Sequence, residues 1–291
     1  MLSAPTKKPS FWLDFVLLLS PALWGSTFFV IKDSVQTVSP LILVGYRFLL
    51  AALIMGSIVL IKKKSLFHNF LPGLILGLLL WATVVFQTFG LQYTSASNSG
   101  FVTGMTMAFV PLFSWLFFRT VPSLSKSISV AIALLGLYIL VGGVSHINKG
   151  DALTLVTAMA FALYILMADA CVKDKVDPLI LNFQQFFVIA FVSLVPAFFS
   201  RNSFTIAPHA VGSILYLAIL PTVGAFMLQL TFQKFTLPIK VALIFATEPV
   251  FAAIFAWTLG GETFVFSKAI GGLLIVMAMI LAEVPWITRI D

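Results

Sequence analysis

The stretch PIKVALIFATEPVFAAIFAW, residues 238–257, decides the fold. At roughly 1.5 Å per residue, its ~20 residues form a helix long enough to cross a hydrocarbon core. Near the middle stands Glu248, followed at once by Pro249. A carboxylate at that depth costs at least about 2.5 kcal/mol, and such groups face a bundle interior or a water-filled cavity. Pro249 has no N–H, so the carbonyl of Phe245 loses its helical partner. Freed backbone survives in a membrane only where protein or a cavity satisfies it. One segment thus joins a costly charge to a helix defect. That combination predicts a residue lining a transport path. The alternative is a protonated Glu248 hydrogen-bonded to a neighbouring helix.

The surrounding composition agrees. Of 291 residues, 60% are hydrophobic and 9% charged, with a mean hydropathy of +1.10. Soluble domains carry about 25% charged residues, so this is an integral membrane protein whose first partner is the lipid bilayer. The net charge of +7 is no nucleic-acid footprint, because the basic residues sit in short loops between apolar runs. A lone cysteine, Cys171, rules out an internal disulfide and a multi-cysteine metal site. No metal or cofactor is expected. His68, His146 and His209 fall in expected loops, which leaves no histidine relay within the membrane.

Outward from Glu248, ten apolar segments are expected: about 11–31, 40–61, 70–93, 96–118, 127–144, 152–171, 179–200, 211–233, 238–258 and 269–287. They are continuous runs of helix-spanning length rather than alternating strands of about 10 residues. The fold class is therefore an all-α membrane protein of ten transmembrane helices. Lys7 and Lys8 before an apolar run resemble a signal peptide. The run continues from Phe11 to Ile31, however, and reads as a retained first helix. With the N-terminus inside, twelve Lys and Arg fall on the inner side and four on the outer, with Arg47 left within a helix. That bias places both termini in the cytoplasm. Lys62-Lys63-Lys64 reads as a topology anchor more than a lipid-binding patch.

The sequence repeats weakly. Pro40-Leu41-Ile42-Leu43 returns as Pro178-Leu179-Ile180-Leu181, and Arg47 and Gln185 each follow their proline by seven residues. Gln87 precedes Thr94 by seven, and Gln229 precedes Thr236 by seven. Pro111 answers Pro249 with a different gap. The common order implies a duplicated unit of five helices. Five is odd, so the second copy enters from the opposite face, as an inverted repeat.

These features resemble the ten-helix members of the drug/metabolite transporter superfamily, in particular EamA-type proteins. The resemblance rests on Leu23-Trp24-Gly25 with Lys32, on Arg47, and on the Thr94–Gly104 run. Glu248-Pro249, Gly260-Gly261-Glu262 and Gly271-Gly272 complete it. One departure is Arg119-Thr120-Val121-Pro122, where first halves of the family often carry a Glu. The resemblance implies two EamA-like repeats, residues 1–146 and 147–291. It also implies a carrier of small metabolites in a bacterial-type inner membrane, often an exporter, with an amino-acid-like, nucleoside-like or drug-like substrate.

Arg47 is the second deep charge. Its planar fork suits an ion pair with Glu248 or a substrate carboxylate or phosphate; the alternative is snorkelling to outer headgroups. Gln229, Gln87, Asn98 and Gln185 each donate and accept hydrogen bonds. They line the path or hold helices together, the latter worth about 0.6 kcal/mol on average. Trp24 and Tyr164 offer rings to stack on an organic substrate or to fill the core. Gly73 with Gly77, and Gly100 with Gly104, permit close helix approach within the chain or, less favoured, in a homodimer. The alternatives to a carrier are an intramembrane enzyme, which would need a base or clustered acids at depth, and a channel, which would be marked by rings of like charge.

Overall fold

The computed structural model describes residues 11–118, 124–141, 147–173, 177–199, 204, 206, 208–232, 244–245 and 247–283. These residues are all-helical. The helices are α1 (Phe11–Ser34), α2 (Pro40–Ile61), α3 (Phe70–Gly90), α4 (Ala96–Gly104), α5 (Thr106–Phe118) and α6 (Leu124–Val141). Then come α7 (Lys149–Lys173), α8 (Pro178–Phe199), α9 (Pro208–Leu217) and a π-helical segment, Ala218–Gly224, running into α10 (Ala225–Phe232). The last two are α11 (Glu248–Thr258) and α12 (Phe266–Glu283). Proline opens α2, α8 and α9, where its fixed φ suits a helix start and its missing N–H has no bond to lose.

Seven helical stretches are long and apolar enough to cross a membrane, and two shorter apolar helices span Ser127–Leu140 and Phe266–Ala278. Of the expected segment 238–258, the structure describes helix at 244–245 and from Glu248 onward; residues 238–243 lie outside the described residues. One expectation needs correcting. His209 does not sit in a loop but in the first turn of α9.

Glycine and proline shape the packing. α2 runs antiparallel along α8: a Cβ on Gly45 would strike Leu194, and one on Gly56 would strike Phe183, eleven residues later on one helix and eleven earlier on the other. α6 and α12 meet through Gly136 and Gly271, with a Cβ on Gly271 only 2.6 Å from the Leu140 nitrogen. α3 packs on α7, with Gly90 against Gly150 and the Thr157 hydroxyl donating to the Thr83 carbonyl at 3.1 Å. α1 lies between α11 and the α9–α10 rod. Both sequence GxxxG pairs pack within the chain: Gly73 and Gly77 against α8, and Gly100 against α11.

Candidate functional site

The site starts from a helix defect. Pro221 offers no N–H to the carbonyl of Leu217, and the backbone widens into the π-helical turn around it. Thr222 Oγ1 adds a side-chain bond to the Leu217 carbonyl at 2.8 Å. With its hydrogen committed, the hydroxyl can only accept a second bond, and Arg47 Nε donates to it at 2.8 Å. Trp24 Nε1 donates to the Pro221 carbonyl at 2.9 Å. Ser20 Oγ donates to the Ala225 carbonyl at 3.2 Å, and the Ser26 and Tyr216 hydroxyls share a bond of 2.5 Å. One bulge therefore gathers side chains from both α1 and α2.

Arg47 is 6% exposed and rests over the Phe48 ring at 5.1 Å. Among the described residues its two terminal nitrogens have no acceptor. The one ion pair among those residues is Lys64 with Asp177. The pairing of Arg47 with Glu248 considered from sequence therefore does not form. The Arg47 Nε is instead held by Thr222.

Glu248 opens α11, with Pro249 in the first turn. The Glu-Pro pair thus sits at a helix start rather than inside one, where proline costs little and an acid favours the dipole. Glu248 is half-buried and has no hydrogen-bond partner among the described residues. The helix packed against it is also interrupted: α4 stops at Gly104, Met105 is a turn, and α5 begins at Thr106. A Cβ on Gly100 would lie 2.4 Å from the Ala252 Cβ. That register sets Thr103 and Gly104 at the level of Glu248. Gln87 Nε2 donates to Thr103 Oγ1 at 3.3 Å. The Trp24 ring stands 5.4 Å from Phe245 and 5.3 Å from Phe226, linking this region to the π bulge.

The remaining sequence candidates fall apart from these. Asn98 is buried in the first turn of α4, its N–H donating to the Ser95 hydroxyl at 3.1 Å while Oδ1 has no donor. Gln229 is half-buried on α10 without a hydrogen bond among the described residues. Gln185 is closed off: Tyr164 donates to its Oε1 at 3.1 Å, and its Nε2 donates to Asn182 Oδ1 at 2.5 Å.

Sequence reasoning missed the roles of three residues. Thr222 was hidden in an apolar run, and its only signal was the adjoining proline. Glu262 accepts from the Ala96 and Ser97 N–H groups and from Ser97 Oγ, so it caps α4 from a turn 165 residues away. Asp151 accepts from Thr94 Oγ1 at 2.5 Å and from the Asn148 N–H at 3.3 Å. The signal for both acids was their placement beside the apolar runs, at helix ends where a carboxylate satisfies orphan N–H groups.

Comparison with known proteins gives a consistent result. An uncharacterized transporter of Archaeoglobus fulgidus is 32% identical over 272 residues, 94% of this chain and 86% of that protein. An S-adenosylmethionine/S-adenosylhomocysteine transporter of Chlamydia trachomatis is 22% identical over 86% of this chain and 82% of its own. A solved crystal structure superposes with a TM-score of 0.67 at 18% identity, covering 94% of this chain and 97% of that one. That likeness shows a shared fold. The EamA-like transporter family model matches twice, over residues 11–142 and 148–283, so this multi-pass membrane chain belongs to that family.

Proposed function

We propose that the chain is a secondary transporter moving a small organic metabolite by alternating access between two oppositely inserted five-helix repeats. In this reading it has ten spans, lies in a bacterial-type inner membrane and keeps both termini in the cytoplasm. The helix pairings support it. The second span of each matched region, α2 and α8, pair antiparallel, as do the fifth, α6 and α12. The packing of α3 on α7 has its counterpart in that of α1 on the α9–α10 rod. Equivalent helices that run antiparallel are what opposite insertion requires.

One observation carries the reading. The two interrupted helices, α4 breaking at Met105 and α11 starting at Glu248, pack on each other with Glu248 at the break. Discontinuous helices meeting near the midplane are where carriers of this kind hold their cargo. Glu248, Trp24 and Gln87 line the path there in this reading. The named relative moves a molecule that is amino acid and nucleoside at once, which favours those substrate classes over drug-like ones. An intramembrane enzyme fits less well, because Glu248 has no second acid or base beside it among the described residues.

Purified protein in proteoliposomes tests this. Labelled S-adenosylmethionine, amino acids and nucleosides should include a substrate whose uptake saturates and shows counterflow. Glu248→Gln should slow that uptake at least about tenfold while leaving the protein folded. Flux that never saturates would point to a channel instead.

A further inference from the structure

We propose that Arg47 is an anion subsite, so that the transported molecule carries an oxyanion, a carboxylate or a phosphate, that docks on the two terminal nitrogens of this guanidinium. The proposal rests on the transporter reading and adds the substrate's charge class. Three observations carry it. First, Arg47 is 6% exposed and its Nε is bonded to Thr222, so the cation is largely withdrawn from its surroundings. A buried charge left unpaired costs several kcal/mol, and structures retain one where a partner arrives.

Second, none of the acids whose side chains are described, Asp33, Asp151, Asp177, Glu248 and Glu262, lies within ion-pair distance of Arg47. Among the described residues the cation therefore has no counter-charge, and an anion brought by the substrate would supply one. Third, the fork is aimed in advance. Pro221 creates the bulge, Thr222 spends its hydrogen on Leu217, and its remaining lone pair fixes Arg47 Nε. The Phe48 ring lies under the guanidinium. Among the described residues both terminal nitrogens stay free for the two oxygens of a planar or tetrahedral anion. Because Arg47 is on α2 and Thr222 on the rod 175 residues later, an anion bound here touches the contact between the two matched regions.

Thermal unfolding of the purified, delipidated protein tests this. It is titrated with inorganic phosphate or acetate against chloride at constant ionic strength. The wild type should show a saturable rise in Tm with at least one of the two anions. Arg47→Gln should weaken the apparent affinity by about tenfold or more, and Arg47→Lys should retain part of it. The better anion identifies a phosphoryl or a carboxyl substrate group. Phosphatidylglycerol micelles form the third arm. A response to them alone would assign the cation to a lipid headgroup and overturn the proposal. So would coincident curves for wild type and Arg47→Gln, or no response of the wild type. If Arg47→Gln fails to fold, phenylglyoxal modification of the wild type, mapped by mass spectrometry, gives the same answer. Phosphate or acetate should protect Arg47, and an unchanged rate would sink the idea. These experiments read binding alone, so their failure would leave the flux assay and the transporter reading intact.

Discussion

Arg47 and Gln185 stand at matching places, each seven residues after the proline that opens its helix, on antiparallel partners α2 and α8. The two sites are built on opposite plans. Arg47 reaches across to Thr222 on the π-helical segment and leaves its terminal nitrogens open. Gln185 turns inward to Tyr164 on α7 and to Asn182 on its own helix, both within its own matched region. Duplication supplied one backbone position twice; the side chains then diverged into an open cation at one end of the bundle and a sealed amide cluster at the other.

The sharpest way to break this comparison is to make the two sites alike. Gln185→Arg should bury an unpaired cation in the amide cluster and cost about 3–5 kcal/mol, seen as a large loss of Tm. If the variant unfolds like the wild type, the second site is as open as the first. Thr222→Val comes next. It removes the side-chain bond to Leu217 and strands the Arg47 Nε, and should cost about 2 kcal/mol in reversible denaturant unfolding. Tyr164→Phe removes one neutral bond from Gln185 and should cost about 1 kcal/mol, with transport little changed.

The smallest effect lies at the end nearer Gln185, where Lys64 pairs with Asp177 beside the start of α8. Partial burial by itself would raise the Asp177 carboxyl. The hydrogen bond from Lys64 and the Leu179 N–H prevail and hold it below its ordinary value. A carboxyl lowered on folding stabilises the fold above its unfolded pKa of about 3.9, and that contribution fades as pH falls through the lower folded value. Asp177→Asn should therefore cost under about 1 kcal/mol at neutral pH. Its deficit against the wild type should begin to shrink in Tm measurements below about pH 4 and disappear only below the lowered folded value.

The candidate site was legible in part. Glu248 stood out because a carboxylate in an apolar run is expensive wherever it faces, so the signal needs no knowledge of its neighbours. Arg47 stood out for the same reason. What neither could disclose was its company. Trp24 was flagged as a ring for substrate, yet its indole N–H is committed to the Pro221 carbonyl. Gln87 and Gln229 looked like twins, yet Gln87 is buried on Thr103 while Gln229 is half-buried and unbonded among the described residues. Glu262, which caps α4 from a distant turn, read as part of a glycine turn.

By itself, the sequence determined that this chain lives in a membrane and is helical. Lipid offers no hydrogen bonds, so every crossing backbone must satisfy itself, and the length and apolarity of a run already say so. It also determined which ionisable groups would be costly. Only the tertiary structure decided that Arg47 and Glu248 stay apart, that α4 and α11 break where they pack together, and that a threonine at a π bulge aims a guanidinium. Those outcomes depend on how helices far apart in the chain rotate and slide against one another. Packing of glycines and rings fixes that rotation, and it leaves no mark in the local hydrophobic pattern.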